Sequence, residues 1–191
     1  ESRNMEAFYA ETKEDALKKA LELIPEGSSI SWGGSMSIQE IGLTDAVKSG
    51  KYQVYERAAA KNPEEKRKIE LQAFDCDFFL ASSNAITEDG ILVNIDGNAN
   101  RVAAIAYGPR NVLMIIGMNK VVRGQEKALS RAKYTAAPAN AQRFSGTPCT
   151  VTGECAHCKS PECICCQTMI TRYSKVPKRI KVILVNEDLG Y

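Results

Sequence analysis

What most restricts this chain is a series of short segments that are apolar without interruption, each separated from the next by a helix-like stretch. Phe78-Phe79-Leu80-Ala81, Val112 to Ile116 and Val182 to Val185 show no alternation of polar and apolar residues. A strand of that kind is buried on both faces, which is the condition of a parallel sheet covered by helices. The intervening stretches have helical spacing. From Thr12 to Ile24, residues Ala16, Leu17, Ala20, Leu21 and Ile24 make one apolar face, with Thr12 as cap and Asp15 three residues on. Asn62 caps a helix reaching about Phe74, with Pro63 at the first position, where a missing N–H costs nothing.

The same reasoning orders the rest. Strands are expected at Ser28–Trp32, Tyr52–Tyr55, Asp77–Ser82, Ile91–Ile95, Asn111–Gly117 and Ile180–Val185. A helix is expected from about Ser35 to Gly50, with Ser37 and Glu40 at capping-box spacing. Others are expected over Asn100–Tyr107, capped by Asn100, and Gln125–Ala137, ended by Pro138. The fold class is therefore α/β, one domain over residues 1–191 with a cysteine-rich loop at 146–166.

In sheets of this class, ligands bind outside the carboxyl ends of the strands. Three polar loops fall there. In the first, Gly33 and Gly34 permit close backbone approach, while Ser35 and Ser37 offer hydroxyls. The second, Ser82 to Gly90, holds Asn84, Thr87, Glu88 and Asp89. The third, Asn94 to Arg101, holds Asn94, Asp96 and Asn100. Gly33, Gly34, Ser35, Ser37, Asn84, Thr87, Asn94 and Asn100 are the candidate ligand-binding residues, for a small anionic metabolite. Glu88 and Asp96 are the candidate acid/base or nucleophilic carboxylates. A turn with a serine cap, or two Asp-Gly turns, would produce the same letters. His157 is the only histidine, so a Ser-His-Asp or Cys-His arrangement in the cleft is excluded.

Six of the seven cysteines lie within residues 149–166: Cys149, Cys155, Cys158, Cys163, Cys165 and Cys166. Secreted disulfide scaffolds spread their cysteines along the chain. Clustering suits a metal site in a reducing compartment, and a cytoplasmic location is expected. Thiolates bind soft and borderline metals. Cys149, Cys155 and Cys158, with Cys163, Cys165 or Cys166, can hold a four-thiolate iron–sulfur cluster. Zinc is the alternative, with His157 as a possible ligand, although paired C-x-x-C knuckles are missing. Cys76 stands apart in an apolar segment and reads as core.

Charge and hydropathy exclude other classes. Twenty-five Lys and Arg against 23 Asp and Glu leave a net charge of +2, unlike a dedicated nucleic-acid binder. No apolar run approaches the ~20 residues of a membrane span, and no signal-peptide pattern is present. The basic stretch Arg172, Lys175, Lys178, Arg179 and Lys181 reads as a solvated surface.

Several segments together resemble the LUD family of lactate-utilisation proteins: Gly33 to Leu43, Asn84 to Gly90, Leu92 to Asn98, Asn100 to Ala103, Ala137 to Ala141 and Ile183 to Gly190. The resemblance runs from about Trp32 onward. It implies a fold like the NagB/RpiA/CoA-transferase group and a redox role in oxidation of L-lactate to pyruvate in bacteria. It also implies an iron–sulfur cluster, of the 4Fe–4S kind, and other lactate-utilisation subunits as partners, with a homo-oligomer possible. Cys149, Cys155, Cys158 and Cys165 fall where a cysteine-bearing subgroup of the family places its cysteines. Cys163 and Cys166 are additions that leave the fourth ligand open. A competing reading is an enzyme or binding module for a phosphorylated or carboxylated metabolite or CoA ester, its cysteine loop structural or zinc-bound.

Overall fold

A computed structural model describes residues 1–191. Its main sheet has six strands, all parallel, in the order β1-β10-β7-β4-β2-β3. These are β1 (Glu6–Ala10), β2 (Ser29–Trp32), β3 (Gln53–Tyr55), β4 (Phe78–Ala81), β7 (Asn111–Gly117) and β10 (Ile180–Val185). The mainly parallel α/β layout expected from the apolar runs is the one the chain adopts.

The central strand β7 shows why it has no polar face. Leu113 and Ile115 enter one core with Ile30, Phe78, Leu80 and Ile183, covered by α1 (Lys13–Leu23), α2 (Met36–Glu40) and α3 (Leu43–Val47). Val112, Met114 and Ile116 enter the opposite core with Phe79, Ala81, Val182 and Ile105 of α5 (Asn100–Ala106). Alternate side chains point to opposite faces, so a strand covered twice must be apolar throughout. Cys76 lies in this second core, and burial pushes its thiol up to about 11.

A second sheet of four short strands has the order β8-β5-β6-β9. Its members are β5 (Ala85–Thr87), β6 (Leu92–Asp96), β8 (Val121–Val122) and β9 (Gln167–Thr171). β6 runs antiparallel to β5 and β9, so the segment expected as one more parallel strand belongs to a separate layer. Ala85, Val93 and Ile95 pack there against Ala128 of α6 (Gly124–Arg131) and against Ala132 and Ala137.

Four local expectations are corrected. The helix expected from Ser35 to Gly50 is two helices, because Gly42 adopts φ +73° between them. Its cap is Ser35, whose Oγ accepts from the Ile38 N–H at 3.5 Å, while Ser37 lies inside the helix. Pro138 does not end the helix after α6. A π-helical turn, Ala132–Ala136, lets Ala137 N–H reach the Ala132 carbonyl, and α7 (Ala137–Ala141) continues. The wider turn accommodates the ring and the missing N–H of proline. Arg179 is not a solvated charge: it donates to the Ala104, Ile105 and Pro109 carbonyls and so caps the end of α5.

Helix α4 (Pro63–Gln72) begins as expected, with Asn62 Oδ1 accepting from Glu65 N–H at 2.8 Å. No helix is long and apolar enough to cross a membrane. Gly117 ends β7 where a Cβ would lie 2.6 Å from the Glu187 carbonyl oxygen, the Leu189 nitrogen and Asn119 Oδ1. Two of those atoms are backbone, so Gly117→Ala is expected to destabilise the protein by about 1–3 kcal/mol through overpacking. Urea unfolding would show a lower midpoint at an unchanged slope.

Candidate functional site

The parallel strands end on one cleft of about 220 Å³. The turn after β2 brings Gly34, Ser35 and Ser37, and the turn after β4 brings Ser82, Ser83 and Asn84. The turn after β7 brings Lys120, and the end of β6 supplies Asp96 and Gly97. This is the placement that open α/β sheets give their ligands.

Arg101 builds the floor. Its Nη1 donates to the Ser82 carbonyl at 3.0 Å and to Asn94 Oδ1 at 2.8 Å. Its Nη2 donates to Asn84 Oδ1 at 3.0 Å and to the Ile95 carbonyl at 2.6 Å. The Arg101 side chain is only 12% exposed. Its stem fills the space above Gly33, where a Cβ would stand 2.8 Å from Arg101 Cδ. Gly33 is thus needed to admit Arg101, and it does not line the cleft. Asn94 is wholly buried beneath the cleft, its Nδ2 without a hydrogen-bond partner.

Asp96 lines the cleft, but it also accepts from Val102 N–H at 3.0 Å. It caps α5 in the place expected of Asn100, because Ala99 takes φ +63° just before the helix. Asn100 lines the cleft and lies 3.4 Å from Glu70 Oε1. Thr87 and Glu88 lie elsewhere. Thr87 is buried and bonded to Asp89, and Glu88 is exposed with Arg123 3.7 Å away. Both line a separate hollow beside the N-terminal residues. The carboxylates expected to share a site are therefore apart, since β5 carries Thr87 and Glu88 away from the main sheet's ends.

The cleft's cations were not singled out from the sequence. Lys120 is 4% exposed, and its Nζ donates to Ser37 Oγ at 2.8 Å and Ser82 Oγ at 3.2 Å. Burial, with Arg131 and Arg101 nearby and Glu40 opposing them, brings its amine down to about 7. Two further guanidinium groups stand over Gly34. A Cβ there would be 3.1 Å from Arg57 Nη2 and 3.9 Å from Arg143 Nη2. Arg57 has Glu70 at 3.9 Å, and Arg143 pairs with no carboxylate. Lys120 follows a buried strand by three residues, a position that pointed toward a site. Arg57 and Arg143 sit on local sequence that carries no such signal.

The cysteine loop lies against the cleft. Cys149, Cys155, Cys158, Cys163 and Cys165 line one small hollow under Pro138. Burial and the crowd of thiols from Cys163, Cys155 and Cys158 push the Cys165 thiol up to about 12. Cys166 is exposed and does not line this hollow, although its sulfur lies beside that of Cys163, and His157 bonds to Lys133 and Tyr134. Four thiolates on one zinc ion would stand about 3.8 Å apart, given Zn–S bonds of about 2.3 Å. Cys163 Sγ lies 3.5 Å from Cys166 Sγ and 3.8 Å from Cys165 Sγ. No three His, Cys, Asp or Glu side chains close on a single ion. Ile164 lines both the thiol hollow and the cleft, and a Cβ on Gly97 would lie 3.2 Å from Ile164 Cα.

These features define a class: α/β proteins with a cationic cleft at the sheet's carboxyl edge. The chain belongs to the LUD domain family, whose profile matches residues 1–185, and that family is associated with lactate utilisation. Among solved structures it is similar to a DUF162 family protein from Deinococcus radiodurans, with a TM-score of 0.52 at 12% identity. That match covers 96% of this chain and 89% of the other, and it bears on the fold alone. Weaker likenesses are to eIF2B delta from Chaetomium thermophilum (TM-score 0.41, 18% identity, 63% and 54% covered) and to ribose 5-phosphate isomerase from Plasmodium falciparum (0.37, 17%, 58% and 52%). No curated protein matches the sequence.

The lowered Lys120 amine has a consequence for stability. The unfolded chain keeps this proton up to about 10.4, whereas the folded chain sheds it from about 7. Between those values the unfolded state binds more protons, so this group's contribution to stability increases as pH rises. Raising the pH from 6.5 to about 8.5 should raise the thermal midpoint of the wild type more than that of Lys120→Met. Equal shifts in calorimetry would show that the amine does not titrate there.

Proposed function

We propose that this protein is a redox component of lactate utilisation, whose basic cleft takes a small carboxylate and whose cysteine loop holds an iron–sulfur cluster. The observation that supports this most is the shared wall. Ile164 stands between the hollow lined by five thiols and the cationic cleft. Cys149, Cys155, Cys158 and Cys165 are the proposed ligands, with Cys163 as the other candidate for the fourth position. Five thiols on one hollow are enough for the four thiolates such a cluster requires. The cluster, when bound, supplies a one-electron carrier.

The chain's own residues then do the binding. Arg57 and Arg143 present guanidinium donors, which grip carboxylates by paired hydrogen bonds. Ser37, Ser82 and Lys120 face the ligand's second oxygen from deeper in the cleft. Arg101 spends its donors on the floor and supplies rigidity and positive potential. The excess of cations over Asp96 favours an anion over a neutral sugar.

Two measurements test the reading. Protein purified without oxygen and reconstituted with iron and sulfide should be brown, with visible absorbance that fades on oxidation. Cys158→Ser should lose the colour and Cys166→Ser should keep it. Colourless, iron-free protein after reconstitution would sink the cluster assignment, and stoichiometric zinc would replace it. In calorimetry, lactate, pyruvate or oxalate should bind, and Arg143→Ala should weaken binding about tenfold, the loss of one charge-assisted contact. Binding of sugar phosphates or CoA esters without these acids would favour the metabolite-binding reading.

A further inference from the structure

The cleft contains a nucleophile that ligand binding alone does not require. Lys120 carries a primary amine, 4% exposed, in the turn that follows the central strand β7. Its two hydrogen-bond partners are hydroxyls, Ser37 Oγ and Ser82 Oγ, and no carboxylate pairs with it. The charged groups nearest in influence are Arg131, Glu40 and Arg101, two cations against one anion. A buried lysine kept for structure normally has a carboxylate partner, because an unpaired buried ammonium is costly. Here the surroundings favour the uncharged amine, the form that attacks carbonyl carbon.

We infer that Lys120 is a covalent carbonyl-binding residue, forming a reversible imine with small 2-oxo acids whose carboxylate is held by Arg57 and Arg143. This deepens the anion-binding reading of the cleft and rests on that part of it, not on the cysteine loop. The step balances without a co-reactant. The amine nitrogen bonds to the carbonyl carbon, the C=O π pair moves to oxygen, and a proton passes from nitrogen to that oxygen. The carbinolamine hydroxyl takes up a proton and departs as water while the nitrogen lone pair closes the C=N bond, and the nitrogen gives up its remaining proton, so that the net products are the imine and one water. The Ser37 and Ser82 hydroxyls, each in contact with Nζ, can relay the proton. A 2-hydroxy acid lacks the electrophilic carbon, so the same pocket binds it without forming a bond. The lysine therefore separates oxo acids from hydroxy acids by chemistry as well as by shape.

The experiment is reductive trapping. The purified full chain is incubated with pyruvate and cyanoborohydride at pH 7.5, then weighed and digested for peptide mapping. One N-carboxyethyl group should appear on Lys120, at a rate exceeding that at any exposed lysine by about tenfold or more, given exposed amines protonated up to about 10.4. Excess oxalate should suppress it, and Lys120→Arg should abolish it. The oxalate competition and the mapping need only wild-type protein, so a misfolded variant would not spoil the result. Adducts spread over exposed lysines, unaffected by oxalate, would overturn the inference. Oxalate binding in calorimetry with no adduct at Lys120 would also overturn it, while leaving the anion cleft standing. Failure of every acid to bind would remove the cleft reading and this inference together.

Discussion

The geometry of the cleft depends on where one guanidinium finds its acceptors. Arg101 gathers oxygens from the end of β4, the following turn, and β6, four acceptors in all. Those segments belong to two different sheets, so the side chain fastens the small sheet to the carboxyl edge of the large one. Arginine suits this position because its donors lie in a fixed plane and its charge persists even where burial lowers its proton affinity. The requirement reaches into the sequence at Gly33, whose missing side chain leaves room for the arginine stem.

Around that fixed floor the cleft is completed by distant pieces of chain. Arg131 donates to the Asn84 and Asn119 carbonyls and to the Tyr191 carbonyl oxygen. Ser37 donates to the Leu189 carbonyl, and Gly190 N–H donates to Glu40. The final residues thus close over the turn that carries Lys120, which explains why that amine is so little exposed. Each contact is worth about a kilocalorie per mole, but each satisfies a group that would otherwise lie unpaired. Polar networks of this kind hold side chains in one arrangement, a condition for selective binding.

Much of the scaffold was legible in the sequence, and the reason is local. Uninterrupted apolar strands, the Thr12 and Asn62 caps and the Asp-Gly turns act over a few residues, and each stands where expected. Legibility failed where a distant partner decides. The single helix expected from Ser35 to Gly50 runs across Gly42, whose left-handed turn lets α3 change direction. β9 announces itself weakly, because its two adjacent apolar residues part company: Met169 packs on a core while Ile170 is exposed. Glu88 and Asp96 look equivalent by composition, yet β5 and β6 run in opposite directions and deliver them to different surfaces. Arg57 and Arg143 are ordinary exposed-looking arginines in the sequence, and only the fold brings them together over Gly34. The cysteine loop shows both sides: its clustering was plain, while the outward placement of Cys166 and His157 was not.

The π-helical turn between α6 and α7 has a consequence for how this fold can vary. Such a turn holds one residue more than an α-helical path between the same end points. Deleting any one residue of Ala132–Ala136 would restore ordinary winding between those same end points, leaving α6 and the end of α7 where they are. Pro138, which now roofs the sulfurs, would then fall inside a regular α-helical turn, where its ring meets the carbonyl four residues back and its missing N–H leaves that carbonyl unpaired.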